Sequence, residues 1–323
     1  MTGAFTPSVD TARTVSHPVM NGLTVLERGW LSSNNVLLAG DDGGAVLVDS
    51  GHCRHAAQTV ALVRHALRGA TLAAVVNTHL HSDHCGGNAA LQRAFGAKVF
   101  IPPGQWHAAV DWDEDALSYR PTRQHCERFE PHGTVAPGET LQLGDRRWQV
   151  LAAPGHDPHS VVLFDDRHGV LISADALWEN GFGVVFPELV GEPGFDEVAA
   201  TLELIAGLGA RWVVPGHGAP FNDVPGALQR ARALLDRLRA DPQRHRRHAA
   251  KVLLKYHLME ERAQSLPRLL LWVGDTPYLR RVWHDLGRPG GSLHGWGESL
   301  VHELVAGAAL HVRDGVVHDG PPT

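Results

Sequence analysis

Between Thr78 and Gly87 the chain reads THLHSDHCGG, which sets His79, His81, Asp83 and His84 within six positions. Imidazole and carboxylate groups are ligands for zinc, and also for iron or manganese. One short loop cannot wrap four such groups around a single ion without strain. Two adjacent ions, each completed by side chains from elsewhere, is the more natural arrangement. Later segments offer those side chains: His156 in APGH, Asp175 in LISAD and His217 in VVPGHG. The chain holds 22 histidines, so an isolated histidine means little here. His245, His248 and His257, for example, read as solvated or partly buried side chains. The clustering within one short segment, followed at once by Gly86-Gly87, is what marks a metal site.

Ligands of this kind need a rigid frame, and the flanking segments supply one. LAAVVNT is a compact run with β-branched residues, the pattern of a buried strand, and the histidine motif begins where it stops. WQVLAAPGH, SVVLFDD, GVLISAD and RWVVPGHG are further strand runs that end in or near His156, Asp175 and His217. Upstream, Leu23–Glu27, Asn35–Leu38 and Ala45–Val48 are short β-type runs, the last two separated by the turn signal Asp41-Asp42-Gly43-Gly44. Asp49-Ser50-Gly51 then leads into a helix with Val60, Val63 and Leu67 at helical spacing, closed by Gly69. Ala89–Phe95 and Phe195–Leu208 are helical as well. The alternation predicts an α/β fold with each ligand at a strand end.

Composition shifts after Asn222. From Pro225 onward helices are expected, including 251–262, 266–273, 278–286 and 298–306, and ALHVRDGVVHDG closes the chain as a hairpin. The expected organisation is a catalytic domain over residues 1–224 and a small, mostly helical, winged-helix-like domain over 225–323. Between Gln105 and Val135 a long connection carries Trp106, Trp112, Tyr119 and Phe129, which either line a pocket or form a local core.

The 323 residues are 43% hydrophobic and 20% charged, the balance of a globular protein with a real core. No run approaches the roughly eighteen apolar residues of a membrane span. The N-terminal stretch has neither the basic start nor the apolar centre of a secretory signal. Cys53, Cys85 and Cys126 match no disulfide framework and no thiolate zinc site. A cytoplasmic enzyme is the expectation. A formal charge of −6 argues against a global nucleic-acid-binding role. Locally, residues 228–262 hold ten basic and four acidic residues, read as a solvated helix face in preference to a phosphate-tracking one.

The HxHxDH loop formed by His79, His81, Asp83 and His84 resembles that of the metallo-β-lactamase superfamily, and the resemblance extends over about Leu23 to Phe221. It implies an αβ/βα sandwich with two metals at one edge. Carried over by motif, His79, His81 and His156 take one zinc, Asp83, His84 and His217 the other, and Asp175 bridges them. His156 is preferred to His159 because it follows Pro-Gly directly, and Cys85 receives no ligand role. A bridging aspartate is similar to glyoxalase-II-like thioesterases, lactonases and nucleases of the superfamily, and unlike its true β-lactamases. The sixteen residues after Asp175 lack the tyrosine of acyl-homoserine lactonases. ENGFGVVFPEL and a tail almost without lysine depart from glyoxalase II. GHGAPFND followed by an arginine-rich helix resembles the branch of β-lactamase-like protein 2, which joins the sandwich to a winged helix and has members that cleave RNA.

No Gly-x-Ser-x-Gly elbow or Cys/His pair offers a protein nucleophile. Hydroxide bridging two metals is the expected nucleophile, available near neutral pH because a metal lowers the pKa of its water to about 7. Asp83 is the expected catalytic side chain, orienting that hydroxide or handling its proton. The leading expectation is a dinuclear zinc hydrolase of small esters, thioesters or lactones, with a homodimer left open. A phosphodiesterase or ribonuclease ranks second, and an enzyme like the mono-iron persulfide dioxygenases third.

Overall fold

The computed structural model describes residues 13–14, 22–40, 44–143 and 146–321. Asp41–Gly43 of the expected hairpin turn, and nearly all of the N-terminal stretch, lie outside the described residues. Seven strands form the first sheet, in the order β1 to β7. They are β1 (Arg13–Thr14), β2 (Leu23–Glu27), β3 (Asn35–Leu38), β4 (Ala45–Val48), β5 (Leu72–Val76), β6 (Lys98–Ile101) and β7 (Gly133–Thr134). Pairing is antiparallel from β1 to β4 and parallel from β4 to β7. The parallel steps need crossovers, and helices α1 (Ala56–Leu67), α2 (Ser82–Cys85) and α3 (Asn88–Phe95) occupy them. Two further short helices, α4 (Trp106–Asp111) and α5 (Tyr119–Thr122), lie in the connection to β7.

The second sheet has the order β12-β11-β10-β9-β8. It contains β8 (Thr140–Leu143), β9 (Arg146–Ala152), β10 (Val161–Asp165), β11 (Val170–Ala174) and β12 (Trp212–Pro215), with only β11–β12 parallel. Between β11 and β12 run α6 (Phe186–Leu189) and α7 (Phe195–Gly207), and α8 (Val224–Ala240) follows β12.

Burial explains the layering. Strands β3, β4, β10 and β11 are buried at every position, so both of their faces must be covered. Val25, Val48 and Val76 meet Trp148, Leu163 and Ile172 between the sheets. Leu47, Val75 and Val99 face the other way, onto Val63, Leu67 and Leu91 of the first helix layer. Val162, Leu171 and Val213 pack on Leu202 and Ile205 of α7 and on Leu228 and Leu235 of α8. The result is helix on sheet on sheet on helix, the expected αβ/βα sandwich. Trp112, Tyr119 and Phe129 belong to the first helix layer, so the long connection is a local core.

The C-terminal part is mostly helical, as expected: α9 (Pro242–Glu261), α10 (Leu266–Asp275), α11 (Pro277–Asp285) and α12 (Leu293–Ala306). Strand β13 (Ala263–Ser265) joins the hairpin of β14 (Leu310–Arg313) and β15 (Val316–Asp319) in a three-stranded sheet ordered β13-β15-β14. Leu253, Leu258, Trp272, Leu279, Trp296 and Val317 share one apolar cluster that also takes in Val184 and Leu189 from the loop after Asp175. The C-terminal helices are thereby anchored beside the segment that follows β11. Among the described residues no helix is long and apolar enough to cross a membrane.

Candidate metal centre

Each singled-out ligand leaves a strand end on the same edge of the sandwich. His79 and His81 follow β5, and Asp83 and His84 start α2. His156 lies in the β9–β10 loop, Asp175 follows β11, and His217 follows β12. The backbone is bent to deliver one of these groups. A bulge in the β11–β12 pairing and a positive φ of 45° at Ala174 turn the chain just before Asp175.

The side chains gather in two groups, His79 with His81 and His156, and Asp83 with His84, Asp175 and His217. In the first, His81 Nδ1 lies 3.1 Å from His79 Nε2 and 2.8 Å from His156 Nε2. Nitrogens bound to one tetrahedral zinc sit roughly 3.3 Å apart at metal–nitrogen distances of about 2.0–2.1 Å, so this convergence fits a cation. In the second, His217 Nε2 is 3.1 Å from Asp83 Oδ2. His84 Nε2 is buried without a hydrogen bond and faces Asp175 Oδ2 at 3.4 Å. A buried, unpartnered imidazole nitrogen aimed at two carboxylates is what a bound cation would satisfy. Asp175 Oδ2 lies 3.4 Å from His156 Nε2 as well, so one oxygen stands between the two groups.

Surrounding residues fix these orientations. Asp49 Oδ2 holds His84 Nδ1 at 2.8 Å and accepts from Thr78 Oγ1 at 2.8 Å, while Asp49 Oδ1 accepts from the Thr78 amide. The Val184 carbonyl holds His156 Nδ1 at 2.6 Å, and Trp178 Nε1 donates to Asp175 Oδ1 at 3.1 Å. Two glycines make room. A Cβ on Gly183 would lie 2.3 Å from His156 Nδ1, and one on Gly216 would lie 2.2 Å from Asp175 Oδ1.

Electrostatics follow the same division. Burial first, then neighbouring imidazoles, hold His79 well below the usual histidine value and bring His81 down to about 4. Both are therefore neutral at pH 7, the form that binds metal. Burial opposes charge on His84, but Asp175, Asp49 and Asp83 together lift it well above its usual value. Burial likewise opposes charge on the two carboxylates. His84 and His217 outweigh it, taking Asp83 down to about 2 and Asp175 well below the carboxylate range.

Other singled-out residues fall into place. His159 is exposed and outside both groups, unlike His156. Cys85 is fully buried, 3.1 Å from the Tyr119 hydroxyl and 3.7 Å from Cys126 Sγ. Phe186 lies edge-on to His81 with ring centroids 4.9 Å apart. His245 and His257 are structural: the first accepts from the Val185 amide, and the second stacks on Trp272. The basic residues of α8 and α9 are largely paired, Arg230 with Asp223, Arg232 with Glu203, Arg239 with Asp196, and Arg247 and Lys251 with Glu303.

A cleft of about 830 Å³ opens over the two groups. Helix α9 forms one of its walls with Leu253, Tyr256 and Met259, and Lys251 and Lys255 reach it too. The Tyr256 hydroxyl sits 3.1 Å from Ser82 Oγ, beside the ligand loop. Sequence reasoning found a missing tyrosine after Asp175 and a lysine-poor tail. It missed that α9 brings a tyrosine and two lysines to the same cleft. The spacing Lys251-x3-Lys255-Tyr256 was the available signal, since Lys98 is the only other lysine.

Residues 28–217 match the model of the metallo-beta-lactamase superfamily. The chain belongs to that superfamily and is one of its hydrolases, with a site of the glyoxalase II kind. It is 32% identical over 231 residues to a hydroxyacylglutathione hydrolase of Xanthomonas axonopodis pv. citri (strain 306), covering 71% of this chain and 78% of the relative. An acyl-coenzyme A thioesterase of Gallus gallus is 32% identical over 117 residues, 32% of this chain and 42% of that protein. A solved metallo-beta-lactamase family protein of Thermus thermophilus shares the fold. Its TM-score is 0.54 at 22% identity, over 93% of this chain and 99% of that one.

Proposed function

We propose that this chain is a dinuclear, zinc-dependent thioesterase of the cytoplasm that acts on a small acyl thioester. The carrying observation is Asp175 Oδ2, 3.4 Å from nitrogens of both histidine groups, where one carboxylate can serve two cations. His79, His81 and His156 would hold one zinc and Asp83, His84 and His217 the other. Iron would suit the same donors. Bound there, two cations would supply Lewis-acid polarisation of a thioester carbonyl and lower the pKa of a bound water to about 7.

The protein's own groups supply the rest. Asp83, its Oδ2 against His217 and its side chain turned to the cleft, is ionised at neutral pH and ready to orient water and take its proton. Burial pushes the Tyr256 hydroxyl well above its usual value, so it stays protonated as a donor in the cleft wall. Trp178 and Asp49 keep Asp175 and His84 from rotating away. The named relatives support the thioester class, and an ester or lactone would meet the same groups. Apolar clustering supports a catalytic unit with a C-terminal unit attached to it through Val184 and Leu189.

The test compares hydrolysis of a small thioester, a lactone and an activated phosphodiester by zinc-loaded protein, with His79→Ala as the blank. Thioester cleavage that His79→Ala abolishes is expected. Phosphodiester cleavage alone would replace this reading with a nuclease.

A further inference from the structure

The cleft continues past the metal-facing side chains. Trp30, Trp178, Phe182 and Val184 line both the cleft and a second cavity of about 570 Å³ that runs under α8. Leu234 and Leu238 of α8 also line that second cavity, and α9 adds Arg244, His245, Arg247, His248 and Lys251 on its other side. Trp30 is 57% exposed, unusual for so large an apolar ring, yet it is held in place. It stacks on His217 with ring centroids 5.3 Å apart and meets Trp178 edge-on at 5.5 Å. The opposite arm of the cleft carries polar groups among apolar ones, Ser118, Thr122 and Gln124 on one side, Lys255 and Arg262 against Asp319 on the other, and Leu253, Met259 and Leu304 between them.

A thioester has two unlike halves; Trp30, Trp178, Phe182, Leu234 and Leu238 offer an apolar chain a surface at one end, and Lys255 and Arg262 bring charge to the other. We infer that this second cavity is an acyl pocket: a straight apolar acyl chain lies between Trp30, Trp178 and Leu234, and the polar carrier thiol lies at the other end of the cleft, beside Lys255 and Arg262. The inference rests on the thioesterase reading and adds a preference for longer apolar acyl groups over short or hydroxylated ones. Each methylene buried in such a pocket raises kcat/KM by up to about fourfold until the cavity is filled.

The experiment uses the full-length, zinc-loaded protein and thioesters of one thiol, N-acetylcysteamine, carrying lactoyl, acetyl, butyryl, hexanoyl and octanoyl groups. A steep rise in kcat/KM from acetyl to octanoyl is expected, with lactoyl at the low end. Leu234→Trp, which fills the cavity, and Trp30→Ala, at an exposed position, should each lower the octanoyl-to-acetyl ratio about tenfold or more. A flat profile with good acetyl or lactoyl turnover overturns the inference and leaves the thioesterase reading standing. So does a steep profile that neither substitution changes. Absence of turnover with every thioester overturns both.

Discussion

Asp49 Oδ2 and His84 Nδ1 meet at 2.8 Å inside the sandwich, and both side chains are buried. This contact fixes which imidazole nitrogen faces the site, because Nδ1 is engaged and Nε2 is left pointing at Asp83 and Asp175. Carboxylates behind ligand histidines commonly set metal affinity in this way. Asp49→Asn should weaken metal binding about 10- to 100-fold while the fold persists. Competition titration with a chromophoric chelator measures it, and unchanged affinity would remove Asp49 from the account.

Gly183→Ala tests the packing of the other group. Its Cβ would arrive 2.3 Å from His156 Nδ1, against a ring already fixed by the Val184 carbonyl. The ring must turn away, so zinc at the His79–His81–His156 group should be lost with at least about a tenfold fall in affinity. Elemental analysis of the purified variant should find about one fewer zinc per chain. A full complement would show that the ring has slack.

Tyr256→Phe removes a single hydroxyl from the cleft wall. With Ser82 left to Gln124, the fold should be little affected. A lost substrate hydrogen bond of about 1 kcal/mol corresponds to roughly fivefold in kcat/KM. Steady-state kinetics should place the effect in kcat if the hydroxyl meets the departing group, and in KM if it only binds substrate. Equal parameters for variant and wild type would leave the hydroxyl a structural partner of Ser82.

Acid should destabilise the protein through a residue outside the metal groups. Burial, aided by His248 and Arg246, holds His245 down to about 4, against 6.5 for a free histidine. Below pH 6.5 the unfolded chain takes up this proton and the folded one does not, so stability falls as pH drops from 6.5 towards 4. Its share is about 2 kcal/mol between pH 6.5 and pH 5. His245→Gln should flatten that slope in urea melts at matched zinc, and an unchanged slope would contradict it.

Much of this was legible in the sequence because rigid elements carry the chemistry. Strand ends such as LAAVVNT-His79 and VVPGH combine a local apolar pattern with an adjacent histidine, and both survive folding unchanged. The layering was legible for the same reason, since all-buried runs demand cover on both faces. What could not be read depends on register and distance. Asp49 reaches Thr78 and His84 because β4 and β5 run parallel with Val48 beside Val76. Tyr256 meets Ser82 across 174 positions. Gly183 and Gly216 have meaning only once His156 and Asp175 are packed against them. Strand β7 is two residues long, too short to leave a pattern.

The most direct test of the central claim is metal content measured alongside thioester turnover, in wild type and in Asp175→Ala. Two zinc ions per wild-type chain, with both metal and turnover lost together in the variant, is the predicted result. Full thioester turnover by chelated, metal-free protein would contradict it.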